Sequence, residues 1–147
     1  MKIALICSQG GHLIEMLCLI EAFKRQDLFF ITYKNPTTEQ LEYKRYLIEN
    51  IGTSLSKMIK TFFQTFSILK KEKPDLIVST GAEIAIPFYI TAKLMRINTI
   101  YIESWCRVKT KSGTGRILYY ISNVFLVQWP NMAKKYGKKA EYHGAVI

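Results

Sequence analysis

The sequence of 147 residues contains little cysteine and little histidine. Its cysteines, Cys7, Cys18 and Cys106, are odd in number and form no C-x-x-C pair, and two histidines are too few to complete a zinc site with them. These absences argue against a disulfide framework and against a structural metal. They favour a reducing compartment, in which free thiols behave as small apolar residues.

Long apolar runs are also missing. The longest, Ile84 to Ala92, contains Pro87 and reaches about half of the ~18 residues that a membrane span requires. The N-terminal run, Met1 to Cys7, is too short for the central segment of a secretory signal. We therefore expect neither a transmembrane helix nor export by that route.

Charge and hydrophobicity set the broad class. The chain has 21 Lys+Arg against 11 Asp+Glu, a formal net charge of +10, and 49% hydrophobic residues. This composition and length are typical of one globular domain, residues 1–147. A basic surface attracts nucleic acid, anionic lipid or phosphorylated substrates, and composition does not choose among them.

Apolar runs alternate with segments of helical periodicity along the chain. Strands are predicted at Met1 to Cys7, Leu28 to Tyr33, Asp75 to Ser79, Asn98 to Ile102 and Val124 to Gln128. Helices are predicted at Leu13 to Phe23, Thr53 to Lys71, Ala82 to Met95, Ile117 to Ile121 and Pro130 to Tyr136. The alternation predicts an α/β fold with a Rossmann-like parallel sheet and helices on both faces, while Lys34 to Tyr46 is predicted as a loop that leads to a short apolar stretch.

The helix predicted at Thr53 to Lys71 carries an aromatic stripe bordered by lysines: Phe62, Phe63 and Phe66, with Lys57 and Lys60. Stripes of this kind usually face the core. Alternatively, the phenylalanines enter the lipid headgroup region while the lysines meet anionic lipid.

In parallel sheets, ligands bind beyond the carboxyl ends of the strands. The first such turn reads Gly10-Gly11-His12-x-x-Glu15, and its small residues allow a ligand to approach amides at a helix N-terminus. The dinucleotide fingerprint is incomplete, which disfavours a nicotinamide cofactor, and no cofactor is expected. Glu15 could accept a proton or a hydrogen bond from a sugar hydroxyl. The alternative is a tight turn with Glu15 placed against the helix dipole.

A second candidate segment begins at Glu103, which follows an apolar strand at the same edge. Trp105 could stack on a sugar or a base, and Arg107 could form a bidentate contact with phosphate. Cys106 is interpreted as a residue that packs against the protein. The alternative for Glu103 is an ordinary solvated glutamate. The basic residues around Gly113-x-Gly115 do not match a Walker loop; they predict either a mobile basic loop that meets a diphosphate or a solvated charge run.

Four segments together resemble a known family: Ser8 to Leu17 (SQGGHLIEML), Ser79 to Ala82 (STGA), Ile102 to Val108 (IESWCRV) and Val127 to Pro130 (VQWP). They are similar to the membrane-recruiting subunit of two-component UDP-sugar glycosyltransferases. That family includes the eukaryotic subunit that helps add the second N-acetylglucosamine to dolichol-linked oligosaccharide, and bacterial capsule and exopolysaccharide subunits. More distantly, the chain resembles the single-chain N-acetylglucosaminyltransferase of peptidoglycan synthesis, although Trp105 stands where that family has Asn.

The resemblance implies the N-terminal, acceptor-side half of a GT-B glycosyltransferase, with the donor-binding catalytic half on a partner chain. It also implies a polyprenyl-diphosphate-linked saccharide as acceptor and a peripheral location on the cytoplasmic face of the membrane. The N-terminal membrane helix of the eukaryotic subunits is not expected here.

The residues then receive provisional roles within a split inverting glycosyltransferase. The candidates for the base that takes the proton of the acceptor hydroxyl are His12, Glu15 and Glu103. His12 or Glu15 is favoured for proton handling or acceptor binding, with Glu103 orienting the sugar and Arg107 near phosphate. The predicted substrate-binding residues are Gly10, Gly11, Thr80, Gly81, Ser104, Trp105 and Arg107. The alternatives are an autonomous nucleotide-binding α/β enzyme and, last, a nucleic-acid binder, for which neither a recognition helix nor an aromatic RNA platform is present.

Overall fold

The computed structural model describes residues 1–52 and 54–147. Its strands are β1 (Lys2–Ile6), β2 (Asp27–Tyr33), β3 (Lys44–Ile48), β4 (Leu76–Ser79), β5 (Asn98–Ile102), β6 (Val124–Val127) and β7 (Ala140–Tyr142). Its helices are α1 (Gly11–Leu19), α2 (Pro36–Glu39), α3 (Leu55–Glu72), α4 (Ala85–Met95), α5 (Gly113–Ile121) and α6 (Pro130–Tyr136), with a 3-10 turn after α1. All neighbouring strands pair in parallel, in the order β3-β2-β1-β4-β5-β6-β7. The predicted α/β fold with a Rossmann-like parallel sheet is confirmed.

Both faces of the sheet are covered, which explains why its central strands are apolar throughout. Ala4 and Ile6 of β1 point to the larger core, which is completed by α3, α4, α5 and α6. Ile3 and Leu5 point to a smaller core on the other face, where α1 packs. Helices therefore lie on both faces, as predicted, but most of them cover one.

The strand order creates a crevice at the carboxyl edge of the sheet. From β1 the chain proceeds to β2 and β3 on one side, and it then crosses to β4 on the other side of β1. The connections that follow β1 and β4 therefore diverge at this point, which is where open α/β sheets bind ligands.

Several predicted boundaries are wrong for local reasons. The predicted loop Lys34 to Tyr46 contains α2, which Asn35 caps through Thr38 N, and the first residues of β3. Helix α4 begins at Ala85 rather than Ala82, because Ala82 has a left-handed φ of 73°. Helix α5 begins at Gly113, four residues before its predicted start at Ile117, and the sequence did not predict β7. The predicted helix start at Thr53 lies outside the described residues.

Helix α3 has an unusual distribution of side chains. It buries Thr61 and Thr65 on the face that meets the sheet, whereas Phe63 is 71% exposed and Phe66 is 47% exposed. Phe62 is partly buried. The interpretation of the phenylalanine stripe as core is therefore wrong for Phe63 and Phe66, because the helix turns its threonines inward.

The last turn of α3 is tied to the amino edge of the sheet. The carboxylate of Glu72 is buried and accepts hydrogen bonds from Lys44 Nζ (2.9 Å), from Lys2 Nζ (3.0 Å) and from the Tyr46 hydroxyl. The bonds from Lys44 and Tyr46 lower the pKa of Glu72 to about 2. This cluster joins α3 to β1 and β3 at the edge opposite the crevice.

Within residues 1–52 and 54–147, no helix has both the length and the apolar character needed to cross a membrane.

Candidate functional site

A cleft of about 610 Å³ lies at the carboxyl edge of the sheet. The connections after β1, β4 and β5 and the first turn of α5 form its walls. It is lined by Ser8, Gly11, His12, Ala82, Glu83, Tyr101, Glu103, Ser104, Cys106, Arg107, Ser112, Gly113 and Thr114. Most of these residues are polar, and their side chains can form hydrogen bonds with a saccharide or a phosphate.

His12 is held at the start of α1 by two hydrogen bonds to the turn after β4. Its Nδ1 lies 2.9 Å from the carbonyl oxygen of Thr80, and the Thr80 hydroxyl donates to the His12 carbonyl at 2.7 Å. A carbonyl oxygen only accepts, so Nδ1 of His12 carries the proton. In the neutral ring, Nε2 of His12 is then the proton acceptor.

Gly81 gives the imidazole its space. A Cβ at this position would lie 2.6 Å from Cε1 of His12, and the φ of Gly81 is 129°, in the region that favours glycine. The predicted substrate-binding residues Thr80 and Gly81 are thus placed behind His12, and neither lines the cleft.

Glu15 is buried beneath the cleft, at 2% exposure. Its carboxylate accepts hydrogen bonds from Ser104 Oγ (2.8 Å), from the amide of Trp105 (3.2 Å) and from Gln128 Nε2 (2.8 Å). Three donors from β5 and β6 connections therefore converge on one carboxylate of α1. This arrangement fixes the first residues after β5 against the first helix.

Glu103 is also buried, at 1% exposure, although it borders the cleft. It accepts hydrogen bonds from the Tyr136 hydroxyl, from the Ser112 amide (3.2 Å) and hydroxyl (2.9 Å), and from the Tyr101 hydroxyl (3.3 Å). Burial, together with the neighbouring Glu103 carboxylate, raises the pKa of Tyr101 and of Tyr136. Gly115 makes this packing possible, because a Cβ there would overlap the Glu103 carboxylate and the Tyr136 hydroxyl.

The two buried carboxylates hold opposite ends of one segment, residues 105–111, which we call the basic loop. Glu15 binds its first amide, and Glu103 binds Ser112, which follows it. Two carbonyl groups of the loop accept hydrogen bonds from residues that follow β6. The Trp105 carbonyl accepts one from Trp129 Nε1 (2.7 Å), and the Val108 carbonyl accepts one from Asn131 Nδ2 (2.6 Å). The loop is thereby anchored at both ends and along its length.

Arg107 is exposed on this loop and faces the cleft. Cys106 is exposed and borders the cleft too, so its interpretation as packing is wrong: the loop turns its side chain outward from the sheet. Trp105 is 38% exposed and packs its ring 5.7 Å from that of Trp129, outside the cleft lining.

The predicted site residues thus divide into two groups. Gly11, His12, Glu103, Ser104 and Arg107 line the cleft. The other group does not line it and comprises Gly10, Glu15, Thr80, Gly81 and Trp105.

The sequence placed Glu83 at the carboxyl edge of the sheet but assigned it no role, and Ser112 and Tyr136 were not predicted as site residues. Glu83 closely follows Gly81 at the end of β4, and Ser112 precedes Gly115 by three residues, a pattern typical of a helix N-cap. Tyr136 had no sequence signal, because α6 brings it to Glu103 from 33 residues away.

A parallel sheet with a polar cleft at its switch point defines this protein as a Rossmann-like α/β domain. It is similar to MurG from Acinetobacter baumannii, with a TM-score of 0.81 and 17% identity, over 99% of this chain and 45% of that one. It is also similar to the UDP-N-acetylglucosamine 2-epimerase of Rickettsia bellii, with a TM-score of 0.80 and 17% identity, over 99% of this chain and 45% of that one. The chain spans less than half the length of these solved chains.

Sequence comparison identifies the family. Residues 34–146 match the model of the oligosaccharide biosynthesis protein Alg14-like family. The human UDP-N-acetylglucosamine transferase subunit ALG14 is 33% identical, over all of this chain and 83% of that protein. The subunit of the same name from Yarrowia lipolytica is 31% identical, over 99% and 81%. The chain therefore belongs to the Alg14-like family, as its sequence motifs predicted.

Proposed function

We propose that this chain is the acceptor-binding, membrane-associating subunit of a split inverting glycosyltransferase in polysaccharide or capsule biosynthesis. A partner chain holds the UDP-sugar, and this chain holds a polyprenyl-diphosphate-linked saccharide. The relatives named as transferase subunits support a subunit role. The observation that carries the proposal is the cleft itself, in which a histidine with a defined proton acceptor and an anchored cation face the same space.

His12 is the general base of this proposal. Its Nε2 takes the proton from the acceptor hydroxyl while that oxygen bonds to the anomeric carbon of the donor. The bond between that carbon and the UDP oxygen breaks, and UDP leaves with the electron pair. The Thr80 carbonyl stabilises the imidazolium that forms, because it accepts the hydrogen bond from Nδ1.

Glu15 and Glu103 receive a positioning role rather than the catalytic one proposed from sequence. Their oxygens already accept three or more hydrogen bonds each from protein donors, which leaves little capacity for a substrate. They hold the basic loop so that Arg107 meets the acceptor diphosphate. Helix N-termini and cations would stabilise the developing charge.

Peripheral membrane contact is proposed for the outer face of α3, α4 and α5. Helix α4 packs between the other two. The three helices expose apolar side chains together: Leu55, Ile59, Phe63, Phe66, Ile90, Leu94, Ile117 and Tyr120. Lys57, Lys60, Lys93 and Arg116 accompany them, a combination that suits anionic headgroups above an apolar interior. We place this face on the cytoplasmic surface of the membrane.

A transfer assay with radiolabelled UDP-sugar and membrane acceptor tests the proposal. We expect no transfer by this chain alone, little or none by the partner alone, and transfer by the mixture. Full transfer by this polypeptide in isolation would overturn the split-enzyme proposal and would favour an autonomous enzyme.

A further inference from the structure

Glu83 is the carboxylate of the cleft that the proposed mechanism does not use. It lies in the connection between β4 and α4, it is half-buried, and it borders the same space as His12. The Tyr33 hydroxyl donates a hydrogen bond to its Oε1 at 2.8 Å. Within the part of the chain that the structure describes, the Glu83 carboxylate accepts no other hydrogen bond and forms no ion pair.

This sets Glu83 apart from the two buried glutamates. A carboxylate has about four acceptor sites. Several of those sites are occupied in Glu15 and in Glu103, whereas Glu83 uses one. Most of the hydrogen-bonding capacity of this cleft-lining carboxylate is therefore not used by the described residues of the protein.

The local backbone places Glu83 in this position. Gly81 and Ala82 both have positive φ, of 129° and 73°, so the chain turns sharply before α4 begins. The amide of Ile86 bonds the Glu83 carbonyl at 3.1 Å, yet the side chain of Glu83 caps no helix amide. Its carboxylate is instead directed to the Tyr33 hydroxyl.

The charges of the cleft are separated along the sheet edge. Tyr33 is the last residue of β2, and β1 and β4 lie between β2 and β5 in the sheet. The hydrogen bond from Tyr33 therefore holds the Glu83 carboxylate on the β2 side. Arg107 follows β5 on the basic loop. An acceptor that carries an anionic diphosphate and a neutral sugar therefore has a preferred direction, with the phosphates at Arg107 and the sugar near His12 and Glu83.

We propose that Glu83, positioned by Tyr33, forms an acceptor-sugar subsite that selects a neutral sugar and excludes one that carries a carboxylate. The Glu83 carboxylate accepts hydrogen bonds from sugar hydroxyl groups, because it can only accept. A uronic acid in the same place would bring two carboxylates together in a half-buried site, which strongly disfavours binding. The inference rests on the proposed function, since it assumes that the cleft holds the acceptor.

The experiment uses two probes that differ in one group: short-chain polyprenyl diphosphates carrying glucose or glucuronic acid. Binding of each probe is measured to the complex of this chain with its partner, for the wild type, Glu83→Gln and Glu42→Gln. In Glu83→Gln, the side-chain amide oxygen still accepts the hydrogen bond from the Tyr33 hydroxyl, so we expect the fold to be retained. Glu42 is exposed before β3, at the other edge of the sheet, and gives the same change of charge.

We expect wild type and Glu42→Gln to prefer the glucose probe by about tenfold or more, and Glu83→Gln to lose most of that preference. A wild type that binds both probes equally, or a preference that Glu83→Gln leaves intact, overturns the inference and leaves the proposed function standing. If Glu83→Gln abolishes turnover with unchanged binding, Glu83 is the base and the inference is wrong. Binding of neither probe by the wild type overturns the inference and the proposed function together.

Discussion

Two hydrogen bonds join His12 to Thr80 across 68 residues of sequence: Nδ1 of the His12 imidazole donates to the Thr80 carbonyl, and the Thr80 hydroxyl donates to the His12 carbonyl. The pair joins the turn after β1 to the turn after β4, and it determines which ring nitrogen can take a proton. The base of the proposed reaction is thus defined by a carbonyl group rather than by a neighbouring carboxylate.

Replacement of His12 by asparagine separates this role from folding. The asparagine Nδ2 can donate to the Thr80 carbonyl as Nδ1 of His12 does, but the side chain has no basic nitrogen. We expect the His12→Asn variant to lower kcat of the reconstituted complex by about 10²-fold or more, with little change in thermal unfolding. Unchanged turnover in a steady-state transfer assay would remove His12 from the reaction.

Two glycines of α5 provide a matched pair for the Glu103 network. In Gly115→Ala, the new methyl group overlaps the Glu103 carboxylate, whereas in Gly113→Ala it meets nothing within 4 Å. We expect Gly115→Ala to reduce the free energy of unfolding by about 2 to 4 kcal/mol, and Gly113→Ala to leave it unchanged or slightly raised. Chemical denaturation measures both. Equal effects would show that the close packing at Gly115 is unimportant.

The Glu72 cluster predicts a stability change in acid. The pKa of Glu72 is lowered in the folded protein, from 4.5 to about 2, so its contribution is present above pH 4.5 and is lost as the pH falls toward 2. We expect Glu72→Gln to destabilise the protein by about 2 to 4 kcal/mol at pH 7, and by less as the pH falls from about 4.5 to 2. Denaturation of both proteins across this range measures the difference, and a difference that does not depend on pH would contradict the prediction.

Adjacent residues of α3 test the membrane face. Phe63 and Gln64 are both exposed, but Phe63 belongs to the apolar stripe and Gln64 borders the β3 edge. Each glutamate substitution adds one negative charge. We expect Phe63→Glu to weaken binding to phosphatidylglycerol vesicles by about tenfold and Gln64→Glu to have a much smaller effect. Vesicle flotation measures both, and equal effects would mean that only charge matters.

The sequence was sufficient to predict the fold because its strong signals are local. The apolar run before Gly10 and the period of α3 follow from rules of turn and helix formation, and they were correctly interpreted as elements. Short elements such as α2 and β7 were missed, since three or four residues carry no periodicity.

The site was predicted less completely than the fold. Turn residues at the carboxyl edge could be identified, because parallel topology brings the ends of the strands together. Whether a given glutamate faces solvent or a set of donors depends on distant partners: Gln128 reaches Glu15 across 113 residues. Such contacts have no local signature, and for this reason sequence alone did not distinguish Glu83 from Glu15.

Photoaffinity labelling of the assembled enzyme tests the central claim most directly. A photoreactive polyprenyl-diphosphate saccharide and a photoreactive UDP-sugar are crosslinked separately, and the labelled residues are located by mass spectrometry. We expect the acceptor probe to label this chain at the cleft and the basic loop, and the UDP-sugar probe to label mainly the partner. Labelling of the partner alone by the acceptor probe would contradict the account.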